Sequence, residues 1–187
     1  MHIVLVGPPG AGKGTQAVKI ADALKVPHIS TGEIFRANLA ADTELGRKVE
    51  RYLEAGEYVP DEVTNTMVAE RLSEADAIGG FVLDGYPRTL AQVDALTAIL
   101  SQVGSQLDKV IEITADTDEL VARLLNRALE QGRADDTEEV IRRRMAVYAE
   151  QTEPLVQVYA ERGLLVEVDG MGSMDEVTAR LLAAVGR

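Results

Sequence analysis

The segment Gly7–Thr15 carries the residues of this chain that are best suited to hold phosphate. It reads GPPGAGKGT and lies between an apolar stretch, His2–Val6, and a segment with helical spacing, Lys13–Leu24. Glycines allow successive backbone amides to turn toward an anion, and the positive end of the following helix adds to the attraction. Lys13 supplies a mobile positive charge for the outer phosphates. The spacing G-x-x-x-x-G-K therefore predicts a phosphate-binding loop, against the alternative of a glycine-rich turn that binds nothing.

A second group of polar residues follows a predicted strand further along the chain. Phe81–Arg88 reads FVLDGYPR, so that Asp84 ends an apolar strand and Arg88 comes four residues later. An acid at the carboxyl end of a strand beside a phosphate loop can orient magnesium-bound water. The planar guanidinium of Arg88 can clamp a phosphate through parallel hydrogen bonds. The alternative is a charged turn after a buried strand, and the loop upstream favours the functional interpretation.

The phosphate loop departs from the general pattern at one position. Gly14 follows Lys13, and the hydroxyl that usually comes directly after the lysine lies one residue later, at Thr15. That hydroxyl is the usual protein ligand of the magnesium ion bound with the nucleotide. We therefore expect no direct protein ligand for Mg²⁺, which would be held by phosphates and by water oriented from Asp84.

Several arginines in the second half of the chain are spaced so that they can meet. Arg123 and Arg127 are four residues apart and share a helix face, Arg133 follows in the sequence GRADD, and Arg144 lies in the next predicted helix. Converging guanidinium groups would neutralise a phosphoryl group during its transfer. The alternative is a solvated basic helix face. The formal net charge is −12 with only 19 Lys and Arg residues. Because several of these few cations occur in this part of the chain, we favour convergence on a phosphoryl group over a solvated basic face.

Short apolar strands alternate with longer helices, which predicts a parallel sheet with helices on both faces. The predicted strands are His2–Val6, Pro27–Ile29, Phe81–Leu83, Lys109–Ile113 and Leu164–Val168. Residues 138–161 are predicted to form one long helix, and residues 118–129 a shorter one. Capping boxes at Ser30 with Glu33 and at Ser173 with Glu176 predict two helix starts. The helical segment 31–60 and the polar segment 127–136 interrupt the alternation, and we interpret both as inserts on a core.

The composition limits the possible partners and cofactors. The 187 residues include no Cys and 2 His, which excludes disulfides and thiolate metal sites and leaves too few ligands for zinc. The net charge of −12 argues against a nucleic-acid partner. No apolar run approaches the roughly 20 residues of a membrane span, and the start lacks the basic residues of a signal peptide. We therefore expect a cytoplasmic protein that binds neither nucleic acid nor membrane.

These motifs stand in the order and spacing typical of one family. GPPGAGKGT, STGEIFR at Ser30–Arg36, FVLDGYPR, and the segments RLLNR and GRADD together resemble the adenylate kinases, a family of nucleoside monophosphate kinases, along nearly the whole chain. The resemblance implies an α/β, P-loop NTPase-type three-layer fold: a five-stranded parallel sheet with helices on both faces, plus two small mobile inserts. The core would comprise residues 1–29, 60–126 and 137–187, with an AMP-binding insert at 30–59 and a short lid at 127–136.

The resemblance also implies an activity and its residues. The reaction would be MgATP + AMP ⇌ 2 ADP in a monomer, with no zinc. ATP would contact Gly10, Ala11, Gly12, Lys13, Gly14, Thr15, Arg123, Arg127 and Gly172. AMP would contact Thr31, Arg36, Glu57, Tyr58, Val59, Gly85, Tyr86, Pro87, Arg88, Gln92, Arg133 and Arg144. The catalytic set would be Lys13, Arg88, Arg123, Arg127, Arg133 and Arg144, with Asp84 at the magnesium-bound water. Asp135 and Asp136 would orient the lid arginines.

Three alternatives stay open at this point. A kinase for another monophosphate, such as UMP or CMP, is disfavoured by Thr31 and Gln92, which match the adenine-contacting positions of the family. A P-loop switch or binding module would tend to lack FVLDGYPR and the paired arginines. A structural protein with a relic loop would not be expected to retain Lys13 together with the full set of arginines.

Overall fold

A central parallel sheet organises the chain. The computed structural model describes residues 1–131 and 137–187, with side chains for all of these except 117, 118 and 127–131. Within the described residues, the strands are β1 (His2–Val6), β2 (His28–Ser30), β3 (Phe81–Asp84), β4 (Lys109–Thr114) and β5 (Leu165–Asp169). They form one five-stranded sheet in the order β2-β3-β1-β4-β5 with every pairing parallel. Each predicted strand is confirmed to within one residue at either end.

Helices follow the strands in the alternation that the sequence predicts. They are α1 (Lys13–Leu24), α2 (Thr31–Ala40), α3 (Glu44–Ala55), α4 (Asp61–Leu72), α5 (Leu90–Gln102), α6 (Thr117–Gln131), α7 (Glu138–Val147), α8 (Pro154–Glu161) and α9 (Met174–Ala184). A complete capping box of Ser173 and Glu176 begins α9. At α2, the Ser30 hydroxyl accepts from the Glu33 backbone N–H at 3.4 Å. The interruption at 31–60 is confirmed as helical, since α2 and α3 occupy most of it.

The prediction of one helix over residues 138–161 is wrong between α7 and α8. A π-helical turn, Tyr148–Thr152, separates the two helices. Pro154 has no N–H to donate, and in a regular α-helix its ring would clash with the carbonyl of Glu150. The chain widens instead, so that the Glu153 N–H bonds the carbonyl of Tyr148, five residues back, at 3.0 Å. α8 then begins with Pro154 in its first turn, where a missing N–H costs nothing.

Helix α6 is longer than predicted and runs to Gln131. Residues 127–131, counted with the lid in the sequence, therefore continue this helix. Arg133, Asp135 and Asp136 lie outside the described residues, and the lid stays a prediction.

Both faces of the sheet are covered, which gives three layers. Alternate residues of a strand point to opposite faces. Ile3 and Leu5 of β1 pack in one apolar cluster with α1, α6 and α9, whereas Val4 and Val6 pack in another with α4, α5 and α8. Near-continuous apolar strands are typical of a parallel sheet buried on both sides. The α/β fold class predicted from the sequence is confirmed.

The parallel arrangement places the ends of several strands at one edge of the sheet. Gly7 follows β1, Thr31 follows β2 and Gly85 follows β3, so the candidate residues begin at neighbouring points. Ligands of open α/β sheets bind at this carboxyl edge. None of the helices in residues 1–131 and 137–187 has the length and apolar character needed to cross a membrane.

Candidate active site

A cavity of about 350 Å³ lies at the carboxyl edge of the sheet and gathers positive charge. Cationic side chains from separate elements line it: Lys13, Arg36, Arg88, Arg123 and Arg144. A chain with a net charge of −12 thus places these cations around one cleft. Glu33, Glu57 and Asp84 also lie on the wall, so cationic side chains exceed acidic ones by five to three, and an excess of positive charge in a cleft attracts an anion. The cavity is therefore suited to an anionic ligand with several negative charges.

Most of the residues predicted from the sequence lie on the wall of this cavity. They are Gly10, Gly12, Lys13, Gly14, Thr15, Thr31, Arg36, Glu57, Tyr58, Val59, Asp84, Gly85, Pro87, Arg88, Gln92, Arg123 and Arg144. They come from distant parts of the chain, so the fold brings together residues that the motifs identified separately.

Other predicted residues lie away from the wall or outside the described residues. Ala11 is buried in the core. Tyr86 is fully buried, its hydroxyl donates to Asn65 Oδ1 at 2.6 Å, and burial raises its pKa. Gly172 precedes α9 with a φ of +106°, and a Cβ there would lie 2.8 Å from Glu176 Oε2. The Arg127 side chain and all of Arg133 fall outside the described residues.

The phosphate loop closes back on itself through Lys13. The Lys13 ammonium donates to the carbonyls of Gly7 at 2.6 Å and Pro8 at 2.9 Å. Gly10 and Gly12 have φ values of +88° and +85°, a left-handed region that favours glycine. Gly12 is also the residue that caps the start of α1. The loop therefore ends at the positive end of a helix, which is an arrangement that binds phosphate.

Asp84 lies beside the start of α1. A Cβ placed on Gly14 would be 3.6 Å from Asp84 Oδ2, so the carboxylate and the phosphate loop are neighbours. A carboxylate here fits a hard divalent cation bound through water. The part of the chain that the structure describes has no group of three or more His, Asp or Glu side chains placed to hold a metal ion directly.

Arg88 is held through both its main chain and its side chain. Its Nε donates to the Gly85 carbonyl at 2.7 Å, and its backbone N–H donates to Gln92 Oε1 at 2.7 Å. The Arg88 carbonyl accepts from the Thr152 hydroxyl at 2.9 Å. The guanidinium carbon lies 4.9 Å from the centre of the Tyr58 ring, within cation–π range. These contacts fix the orientation of the guanidinium at the cavity.

Gln92 and Asp61 join the starts of two helices beneath Arg88. Gln92 is 2% exposed, and its Nε2 donates to Asp61 Oδ1 at 2.6 Å. The other oxygen of Asp61 accepts from the Thr89 hydroxyl at 2.8 Å. With its bond from Arg88, Gln92 thereby uses one of its two N–H groups and one lone pair of its oxygen. Asp61 was missed in the sequence because an acid in the first turn of a helix is ordinarily explained by the helix dipole.

The α2–α3 segment contacts the core at both of its ends. The buried Thr31 hydroxyl donates to the Gly85 carbonyl at 2.9 Å. A Cβ on Gly32 would lie 3.1 Å from Arg36 Nη1, so the Arg36 guanidinium lies over the first turn of α2. At the other end, the Glu57 carboxylate accepts from Arg143 Nε of α7 at 2.6 Å.

Two wall residues from the π-helical turn, Tyr148 and Thr152, had no signal in the sequence. Both lie within the segment predicted as regular helix, where neither would be singled out. Burial raises the pKa of Tyr148, and the nearby Glu112 and Glu153 carboxylates raise it further. The Tyr148 hydroxyl is therefore neutral at physiological pH.

Comparison with known proteins decides the family. The family model described as "Adenylate kinase" matches residues 5–164. The chain belongs to the adenylate kinase family. An "Adenylate kinase" of Kocuria rhizophila is 61% identical over 186 residues, which cover 100% of this chain and 99% of that protein. Those of Nocardioides sp. and Thermobifida fusca are 58% and 52% identical, each over 185 residues, covering 99% of this chain and 97% and 98% of theirs.

This membership confirms the resemblance inferred from the motifs. Matches over the full length of the chain, at more than half identity, identify it as an enzyme of the adenylate kinase family. Phosphoryl transfer between ATP and AMP, giving two ADP, is the activity of this family, and ATP, AMP and ADP are its substrates.

Proposed function

We propose that this adenylate kinase transfers the γ-phosphoryl group of MgATP to AMP by positioning and charge neutralisation, without a covalent intermediate. The observation that carries the proposal is the convergence on one cavity of Lys13 from the phosphate loop, Arg88 from the end of β3 and Arg36 from α2. Phosphoryl transfer needs in-line placement and stabilisation of the negative charge on the transferring oxygens. The AMP phosphate is already anionic, so no general base is required to activate it.

The two nucleotides would occupy opposite ends of the cavity. ATP would place its phosphates on the loop Gly7–Thr15, with Lys13 at the outer phosphates. AMP would lie between the end of β3 and the α2–α3 segment, where Arg36 and Arg88 meet its phosphate. Arg123 and Arg144 also line the cavity and would add charge along the path of the transferring group.

Magnesium would enter with ATP. Asp84 is the protein group placed to hold its water, because the carboxylate lies beside the phosphate loop at Gly14. Bound Mg²⁺ supplies charge neutralisation at the phosphate oxygens. Removal of Mg²⁺ with a chelator is expected to abolish turnover. Asp84→Asn is expected to raise the Mg²⁺ concentration needed for half-maximal rate.

The inserts at 30–59 and 127–136 would close over the nucleotides, which excludes water and suppresses hydrolysis of ATP. Arg127 and Arg133 would reach the phosphates from the lid. We expect lid opening to limit turnover, so the rate of phosphoryl transfer in a single turnover should exceed the steady-state rate. Equal rates would contradict this part of the proposal.

A coupled assay for ADP tests the activity and its acceptor. With ATP as donor, we expect the highest kcat/KM for AMP, with CMP, UMP and GMP far behind. A higher kcat/KM for UMP or CMP would identify a kinase for another monophosphate. Binding of ATP without ADP formation from AMP would identify a binding module. We further propose that the protein is a cytoplasmic monomer. Light scattering measures its molar mass in solution and so tests the monomeric state.

A further inference from the structure

Two hydroxyl groups from different parts of the chain meet at Arg88. Tyr58 follows α3, and Thr152 is the last residue of the π-helical turn. The oxygens of the two hydroxyls are 2.7 Å apart, and the Thr152 oxygen lies 2.9 Å from the Arg88 carbonyl oxygen. Thr152 is 4% exposed, so its hydroxyl depends on protein partners for its hydrogen bonds.

The direction of these two hydrogen bonds follows from the number of protons available. A carbonyl oxygen can only accept, so the Thr152 hydroxyl donates to Arg88. A threonine hydroxyl carries one proton, so it must accept from Tyr58, whose hydroxyl donates. The result is a directed chain from Tyr58 through Thr152 to the Arg88 carbonyl. Each bond in such a chain strengthens the next.

The same tyrosine also contacts the charged end of Arg88. The guanidinium carbon lies 4.9 Å from the centre of the Tyr58 ring, and ring and cation attract each other at this distance. Tyr58 therefore acts on Arg88 twice, directly at the guanidinium and through Thr152 at the main chain. Removal of the Tyr58 hydroxyl alone leaves the first contact in place and breaks the second.

The π-helical turn is what brings Thr152 to this position. Its backbone bond from Glu153 to Tyr148 takes up one more residue than an α-turn. Tyr148 and Thr152, at the two ends of the turn, both line the cavity. π-turns inside helices occur frequently at functional sites, and here the turn supplies the hydroxyl that anchors Arg88.

We propose that Tyr58 and Thr152 are positioning residues that hold Arg88 for the acceptor phosphate and make its placement depend on the seating of the 30–59 segment. This inference rests on the proposed function, in which Arg88 binds the AMP phosphate. Tyr58 belongs to that segment, whereas Thr152 and Arg88 belong to the sheet-bearing part of the chain. A movement of the segment that separates the two hydroxyls removes both the hydrogen-bonded chain and the aromatic contact from Arg88.

The test compares variants that remove or keep the hydroxyls. Thr152→Val removes the hydroxyl at nearly constant volume, Thr152→Ser keeps it, and Tyr58→Phe keeps the ring. Thr97→Val is the matched control, because Thr97 is a helical threonine of α5 whose hydroxyl bonds the Val93 carbonyl at 2.9 Å. Readouts are kcat/KM for AMP at saturating ATP, KM for ATP at saturating AMP, and the calorimetric Kd for AMP.

Loss of one such hydrogen bond is expected to change affinity by about tenfold. Thr152→Val should lower kcat/KM for AMP about tenfold and raise the Kd for AMP by a similar factor, with KM for ATP within twofold of the parent. Thr152→Ser should restore both values to within about twofold. Tyr58→Phe should reproduce part of the loss. The double variant Tyr58→Phe/Thr152→Val should be no worse than Thr152→Val, since both act through one chain.

Several results would overturn the inference. The first is a kcat/KM and a Kd for AMP in Thr152→Val that are as close to the parent values as those of Thr97→Val. The second is a loss in Thr152→Ser equal to that in Thr152→Val. The third is a loss in the double variant equal to the sum of the two single losses. If Thr152→Val does not fold, Tyr58→Phe decides: a Kd for AMP as close to the parent value as that of Thr97→Val would overturn the inference. The proposed function is judged separately, on whether the parent makes ADP, and the AMP Kd tests the positioning inference in either case.

Discussion

Neutral groups contact two of the cations that line the cavity, Lys13 and Arg88. Lys13 is held by the carbonyls of Gly7 and Pro8, and Arg88 by the Gly85 carbonyl and the Tyr58 ring. Carbonyl oxygens and aromatic faces orient a cation without cancelling its charge. The Arg88 charge therefore stays available for an anionic ligand, whereas a carboxylate partner would partly neutralise it.

Removal of either cation is expected to reduce turnover strongly while the fold survives. Lys13→Ala and Arg88→Ala should each lower kcat at least about 100-fold, because each removes a donor aimed at developing negative charge. Steady-state ADP formation measures the loss, and circular dichroism checks the fold. Arg162→Ala is the control, since Arg162 lies at the end of α8, 3.8 Å from Asp94 and away from the cavity wall. Near-parent turnover in Lys13→Ala or Arg88→Ala would refute the role assigned to that residue.

Glu112 on β4 is expected to destabilise the folded protein at neutral pH. Burial raises its pKa, and the carboxylates of Glu167 and Glu153 raise it further. The folded state therefore binds the proton more tightly than the unfolded state, so the free energy of unfolding falls as pH rises from the ordinary glutamate pKa through the raised one. Glu112→Gln should raise Tm at pH 7, and this gain should shrink toward pH 4.

Thermal melts at the two pH values measure this effect. Glu70→Gln is the control, because Glu70 is an exposed glutamate on α4 and should change Tm little at either pH. A Tm that falls at pH 7 in Glu112→Gln would contradict the assignment.

Helix packing in the α2–α3 segment depends on one small residue. A Cβ on Gly46 would lie 2.3 Å from the Asn38 carbonyl oxygen, so α3 approaches the end of α2 more closely than any side chain permits. Gly46→Ala should destabilise the protein by about 1–3 kcal/mol, because the two helices must separate. Urea unfolding measures the loss.

Gly79→Ala is the matched control for this prediction. Gly79 has no atom within 4 Å of the position of an added Cβ, and a surface substitution of this kind changes stability by less than about 0.5 kcal/mol. Equal stabilities for the two variants would show that the close approach of α2 and α3 is not needed.

Local patterns predicted elements well and tertiary contacts poorly. The phosphate loop could be predicted from the sequence because its glycines, its lysine and its flanking elements are contiguous in the chain. The π-helical turn could not be predicted, since Tyr148 and Thr152 fit a helical pattern and only Pro154 indicates a break. Asp61 bonds Gln92, and Thr152 bonds Arg88. The members of each pair are distant in sequence, and no local rule connects such residues. Gln92 and Arg36 were found through family resemblance.

The whole molecule combines a strongly acidic chain with one cationic cavity. The chain holds 31 acidic and 19 basic residues, which gives its formal net charge of −12. We expect negative charge outside the cavity to repel polyanions such as nucleic acid, while a compact nucleotide can enter a cleft lined with arginine and lysine. The distribution of charge thus favours small phosphates over large ones.

A ligand that spans both nucleotide positions should stabilise the entire fold. Two adenosines joined through five phosphates are expected to add about 2.7 kcal/mol at a free concentration of 100 Kd. For a chain of this size the increase in Tm is about 5–10 °C. Differential scanning fluorimetry measures the shift. AMP alone at the same concentration should give a smaller shift, and Lys13→Ala should weaken the effect of the linked ligand. The absence of any shift would count against a two-nucleotide cavity.

The π-helical turn between α7 and α8 also bears on how the chain length can vary. Each residue of an α-helix adds about 100° of rotation, and a π-turn takes up one additional residue within the same turn. A deletion of one residue in 148–152, combined with Pro154→Ala to remove the proline clash, would let α-type bonds close the gap, so that α7 and α8 keep their places against the sheet. Tyr148 or Thr152 would rotate off the cavity wall in the process. We expect this combined change to alter the enzyme's substrate handling before it disturbs the fold.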